Sequence, residues 1–167
     1  MKTPYSHSAG FACLLLLSGS LLHVAAQQLP RATLSSVFPA GGEQGATVAV
    51  TVSGGDLDDS NNLIFSHPGI TAKPKVDGKG APVANQYSVT IAKTVPVGFH
   101  DVRVSGGRFG VTNVRSFAVG DLPEIASNGG TELENAVEVK LGTIINGQAP
   151  SRNYAYYRVA LKKGQRV

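Results

Sequence analysis

Apolar and polar residues alternate in short runs along most of this chain. Val48, Val50 and Val52 fall on one side of a period-two pattern, Thr47, Ala49, Thr51 and Ser53 fall on the other, and Gly54-Gly55 closes the run. Alternation of this period predicts a half-buried strand, because successive side chains of a strand point to opposite faces. Upstream, Leu34 and Val37 lie in a short extended run that stops at Phe38-Pro39, with Ala40-Gly41-Gly42 read as a turn. Proline lacks a backbone donor, so Pro39 suits a strand end.

The pattern repeats downstream. Leu63-Ile64-Phe65 is closed by His67-Pro68-Gly69, and Ile70 to Val76 is extended until Asp77-Gly78, a strong turn pair. Gln86 to Ala92 places Tyr87, Val89 and Ile91 on one face, and Phe99 to Val104 does the same for His100, Val102 and Val104. After Gly106-Gly107 the last run, Val111 to Val119, carries Phe117 and Val119. Seven short strands separated by turn signals every 8 to 12 residues or so predict an all-β sandwich. No stretch shows a 3.6-residue apolar period.

Past Asp121-Leu122-Pro123 the segment Glu124 to Thr131 is polar and rich in turn formers, which reads as a linker over 121–131. Short apolar runs follow at Ala136 to Val139 and Ile144-Ile145, and then a Tyr-rich run, Tyr154 to Leu161. In that run Tyr157, Val159 and Leu161 share one face, opposite Tyr154, Tyr156 and Arg158. The turn signal Gly164-Gln165 has only Arg166 and Val167 beyond it, so the expectation is the front of a longer protein whose last strand lacks a partner.

The N-terminus changes the picture more than the overall composition does. Lys2, the apolar run Phe11 to Leu22 and the small residues around Ala26 describe a secretory signal peptide over 1–26, cleaved between Ala26 and Gln27. The run is short of the roughly 20 apolar residues of a membrane span. No membrane span is therefore expected after signal removal, and the protein is expected to be exported: periplasmic, at the cell surface or extracellular. Cys13, the chain's one cysteine, lies inside this leader, so no disulfide can staple the mature chain. Lys2 aside, 14 basic residues face 11 acidic ones and are scattered along the chain. Nucleic-acid binding calls for a concentrated basic face, so no nucleic-acid partner is expected.

Two resemblances refine this reading. "LSSVFPAGGEQGATVAVTVSGGDL" resembles the opening of an IPT/TIG domain, an immunoglobulin-like module, through Leu34, Val37, Pro39, Gly42, Gly45, Val48, Val50, Gly54 and Leu57. "VPVGFHDVRV" is similar to a later turn and strand of that family through Pro96, Gly98, Val102 and Val104. After the linker, Glu134, Asn135, Ala136, Gly147, Tyr156, Tyr157, Arg158, Gly164 and Gln165 resemble the first part of a bacterial pre-peptidase C-terminal (PPC) domain, with Val159 where an aromatic residue is usual. The resemblances imply an Ig-like β-sandwich over 31–120 and an incomplete PPC-like second β-sandwich over 132–167. In related collagenase modules, acidic residues in the turn before the Tyr-rich strand bind calcium. Ser151-Arg152-Asn153 offers no carboxylate there.

Candidate chemistry is sparse. His67 sits in a turn and His100 on an alternating strand, without ligand-like spacing, and both read as surface or core-edge imidazoles. No G-x-S-x-G elbow occurs, and Gly106-Gly107-Arg108-Phe109-Gly110 precedes no helix that could complete a phosphate cradle. No catalytic residue and no resident cofactor are expected. Asp56, Asp58 and Asp59, with Ser60, Asn61 and Asn62, put several hard oxygen donors on one loop and form the single candidate for calcium. Their spacing lacks the EF-hand glycine and closing glutamate, and Asp and Asn are ordinary turn formers, so a plain loop is the expectation. The functional expectation is a non-catalytic exported bacterial module that binds a protein or carbohydrate partner or spaces domains. The alternative is an accessory region of a secreted peptidase or other hydrolase, implied by the PPC resemblance.

Overall fold

The computed structural model describes residues 30–148 and 151–166. The expected leader, with Cys13 and the Ala26–Gln27 pair, lies outside the described residues. Every helix or strand among the described residues is a strand. In chain order they are β1 (Thr33–Phe38), β2 (Gly41–Glu43), β3 (Thr47–Gly55), β4 (Asn62–Phe65), β5 (Ile70–Val76), β6 (Pro82–Ile91), β7 (Gly98–Ser105) and β8 (Arg115–Gly120), followed by β9 (Glu124–Ala126), β10 (Val137–Val139), β11 (Ile144–Asn146) and β12 (Tyr157–Val159).

The first eight build two four-stranded sheets, ordered β1-β3-β6-β5 and β2-β8-β7-β4. The order β1-β3-β6-β5 matches the four-strand sheet of an immunoglobulin constant-type sandwich and β8-β7-β4 its three-strand sheet, to which β2 is added. Here the first strand is split: β1 runs antiparallel to β3, and the chain then crosses so that β2 runs parallel to β8 in the other sheet. The alternating residues named above become one core between the sheets. Leu34, Val50, Val52, Tyr87, Val89, Ile91, Val102, Val104, Phe117 and Val119 are all buried in it. Full burial of a Val, Leu, Ile or Phe side chain stabilises the fold by about 1.5–3 kcal/mol each, so this core is the main source of stability.

The structure differs from the sequence reading in four places. Gly41 and Gly42, expected in a turn, belong to β2, because a parallel partner comes so close that a Cβ on Gly41 would meet the Ala118 carbonyl oxygen. The last strand of the sandwich starts at Arg115, not Val111, because Thr112 and Asn113 spend their side chains on backbone groups elsewhere. Within the expected linker, Glu124–Ala126 is a strand that pairs in parallel with β11. The Tyr-rich run is a strand only over β12, parallel to β10. Strands β9 to β12 form two two-stranded pairs, and Val139 is the one buried apolar residue among them. Two-stranded units of this size have marginal stability alone.

The edge strand β5 carries Lys73, Pro74 and Lys75 in succession. Charge and a missing donor on an edge discourage pairing with another chain.

Candidate functional site

The turns of the sandwich gather at two ends. At the first, β1 begins at Thr33 opposite Gly55, next to the Asp-rich turn of residues 56–61 and the β7–β8 connection. Leu57 anchors that turn by inserting into the core at 7 % exposure. Asp56 and Asp59 take left-handed backbone conformations, with φ of 53° and 60°. Short polar side chains tolerate that region better than most residues. The Ser60 amide donates to the Leu57 carbonyl, the Asn61 amide to the Ser105 carbonyl at 3.3 Å, and the Arg108 amide to the Asp58 carbonyl at 3.4 Å. From the core side, the Tyr87 hydroxyl donates to the Ser60 carbonyl at 3.2 Å. Burial alone pushes the Tyr87 phenol above its ordinary value, since the phenolate would have to shed water.

A cleft of about 580 Å³ opens between this turn and the start of β6, lined by Asp56, Asp58, Asp59, Ser60, Asn61 and Asn85 among others. The calcium candidates therefore share one cleft wall. Asp59 turns to Arg108, with 3.7 Å between carboxylate and guanidinium, both well exposed. Among the described residues no three carboxylate, imidazole or thiol side chains converge as a metal site would require, and Asp56, Asp58 and Asp59 are no exception. The loop is held by backbone bonds and an anchored leucine.

The opposite end collects the β2–β3, β4–β5 and β6–β7 turns and the exit of β8. The Gln44 amide donates to the Gly120 carbonyl, the Gly45 amide to Ile91, and the Ala92 amide to Gly69, each at 2.9 Å. Both histidines lie here. The Gly69 amide donates to His67 Nδ1 at 3.0 Å, and His100 Nε2 donates to the Pro96 carbonyl at 2.9 Å. Their rings meet edge to face, with centroids 5.6 Å apart.

Beside them an apolar groove of about 320 Å³ runs between the β7–β8 hairpin and β11, lined by Gly41, Val97, Phe99, Ala118 and Ile144 among others. Phe99, on its rim, is 83 % exposed. Its cross-strand partner is the small Ala118, which leaves the ring uncovered. Sequence reasoning passed over Phe99, although a signal was present: on β7 the outward set is Phe99, Asp101 and Arg103, and the inward set is His100, Val102 and Val104. At one rung the apolar residue faces out and the polar one faces in.

The buried Thr112 and the exposed Arg103 and Arg115 hold backbone groups. Thr112 Oγ1 accepts from the Val104 amide at 3.0 Å and donates to the Asn113 carbonyl. The Arg103 guanidinium donates to the Thr112 carbonyl and Arg115 Nε to the Leu34 carbonyl. Among the described residues no buried side-chain nitrogen or oxygen lacks a partner. Against this geometry, no family model, no curated protein and no solved structure matches the chain.

Proposed function

We propose that residues 31–120 are a non-catalytic spacing module of an exported protein. The observation that carries this reading is where the chain enters and leaves the sandwich. It enters at Thr33, paired with Gly55 at the end that holds the Asp-rich turn, and leaves at Gly120, paired with Glu43 at the other end. A module entered at one end and left at the other sets its neighbours apart by its own length. The nine residues of β3 give that length as about 30 Å. The side chains best suited to chemistry support the same reading, since His67 and His100 are both engaged by the backbone of turns.

The test is an exchange in the exporting cell. Deleting residues 31–120 defines a phenotype, and an unrelated β-sandwich of the same length replaces them. Spacing predicts that the unrelated sandwich restores function and that a flexible Gly/Ser linker does not. Rescue by the native sandwich alone would mean that this surface recognises a specific partner, and the spacing reading would fall.

A further inference from the structure

On the second sheet, one row across three strands reads Phe99, Ala118 and Gly41. Two residues beyond Ala118, on the same face of β8, comes Gly120. An aromatic ring that is 83 % exposed thus stands beside a floor of residues with almost no side chain. Ile144 of β11 forms another wall, and the space between is the apolar groove of about 320 Å³.

Among the described residues, Glu124 is the one charged group that lines this groove. Its Oε2 accepts from Asn146 Nδ2 at 2.7 Å, which orients the carboxylate. Its Oε1 lies over the floor: a Cβ on Gly120 would come within 3.4 Å of it and within 3.2 Å of Ile144 Cδ1. The ion pairs among the described residues are Arg108–Asp59 and Arg158–Glu138, and neither includes Glu124. Glu43, in register with Gly120, and Asp121, next to Gly120 in the chain, add negative charge at this end. Lys93 is the basic residue of the β6–β7 turn, and its stem packs toward Gly45.

A second groove, of about 230 Å³, is lined by Pro39, Val48, Ala49 and Ile125 among others. The two grooves share Gly41, Glu124 and Asn146, so the carboxylate sits between two apolar recesses. An extended polypeptide presents side chains i, i+2 and i+4 to one face. Apolar, basic and apolar residues at alternate positions therefore match two recesses with a carboxylate between them. A two-fold pairing of this surface with its own copy does not match, because it sets Glu124 against Glu124 and like charges repel.

We propose that this groove is a docking site for a Lys or Arg side chain of a partner polypeptide, carried in an extended segment between apolar residues at alternate positions. The alkyl stem lies along Phe99 and Ile144, and the cation ends on Glu124 Oε1. Long basic side chains bury their stems on apolar surface while the charged head keeps a polar partner. A hydrogen bond between two charged groups is also roughly twice as strong as a neutral one. The site does not rest on the spacing reading, since it needs β9 and β11 as well as the sandwich, and its loss leaves the length of the sandwich unchanged.

The probe is the acetylated and amidated peptide Val-Ser-Lys-Ser-Val, compared with the same peptide carrying uncharged norleucine in place of Lys. Each is titrated into the full chain while the Phe99, Gly120 and Ile144 amide resonances are followed. Docking predicts saturable shifts of these amides with millimolar Lys peptide, and binding about tenfold weaker with the norleucine peptide. Glu124→Gln, whose Oε1 can still accept from Asn146, should weaken the Lys peptide by the same factor. Phe99→Ser removes an exposed ring without touching the core and should weaken both peptides. Equal affinity for the two peptides, or an affinity that Glu124→Gln leaves unchanged, overturns the inference. Fixed resonances with the Lys peptide overturn it as well. Shifts of the same amides that follow protein concentration without peptide would assign the groove to a second copy and overturn it equally.

Discussion

The carboxamide of Asn113 pairs with both backbone groups of Leu34: its Oδ1 accepts from the Leu34 N–H at 2.9 Å, and its Nδ2 donates to the Leu34 carbonyl at 3.0 Å. A side chain thereby stands in for a strand at the edge of β1, at the point where the β1–β3 register shifts between Leu34 and Ser36. The bond also ties the first sheet to the chain that enters β8 in the second. The Leu34 carbonyl has another donor in Arg115, but the N–H depends on Asn113. Asn113→Ala should cost about 1–3 kcal/mol in urea unfolding, the penalty of an unsatisfied buried donor. Asn113→Asp, which keeps the acceptor but loses the donor, should cost less.

Tyr87 gives the fold an alkaline limit. Burial raises its phenol above the ordinary value of about 10. Above that pH the unfolded chain releases the phenolic proton while the folded state retains it. The stabilisation is therefore complete below about pH 10 and is lost as pH rises through the folded value. Urea midpoints from pH 8 to pH 11 should fall more steeply for the wild type than for Tyr87→Phe. At neutral pH the variant should lose about 1 kcal/mol, the worth of the bond to the Ser60 carbonyl.

The Asp-rich turn is held by Leu57 and by the backbone bonds of Ser60, Asn61 and Arg108. Millimolar calcium should leave the melting temperature unchanged, and a clear rise would make Asp56, Asp58 and Asp59 ligands after all. Arg108→Ala should change stability by no more than about 0.5 kcal/mol, because its pairing with Asp59 is exposed on both sides.

The sandwich was legible wherever side chains alternate over several residues. Val48/Val50/Val52, Tyr87/Val89/Ile91 and Val102/Val104 each repeat the period often enough to mark an inner face, and the structure buries that face. β2 was illegible because two of its three residues are glycines, which have no side chain to show a period. The four strands after Gly120 were blurred for a related reason: three residues hold barely one period, and their pairing is parallel and long-range. Thr112 and Asn113 broke the pattern before β8 because each serves a backbone group on another segment, a relation that local sequence does not encode. The Phe99/His100 inversion was visible in the residues, but its meaning depends on which strands flank β7.

The proposed spacing function requires a rigid sandwich that the chain enters and leaves at opposite ends. With Cys13 as the chain's one cysteine, placed in the expected leader, Arg31→Cys and Leu122→Cys provide unique labelling positions at the two ends. Spin labels there should report one narrow distance distribution centred near about 30 Å, the length of the long strands. A broad distribution, or one centred below about 20 Å, would contradict a module of this length and with it the spacing function.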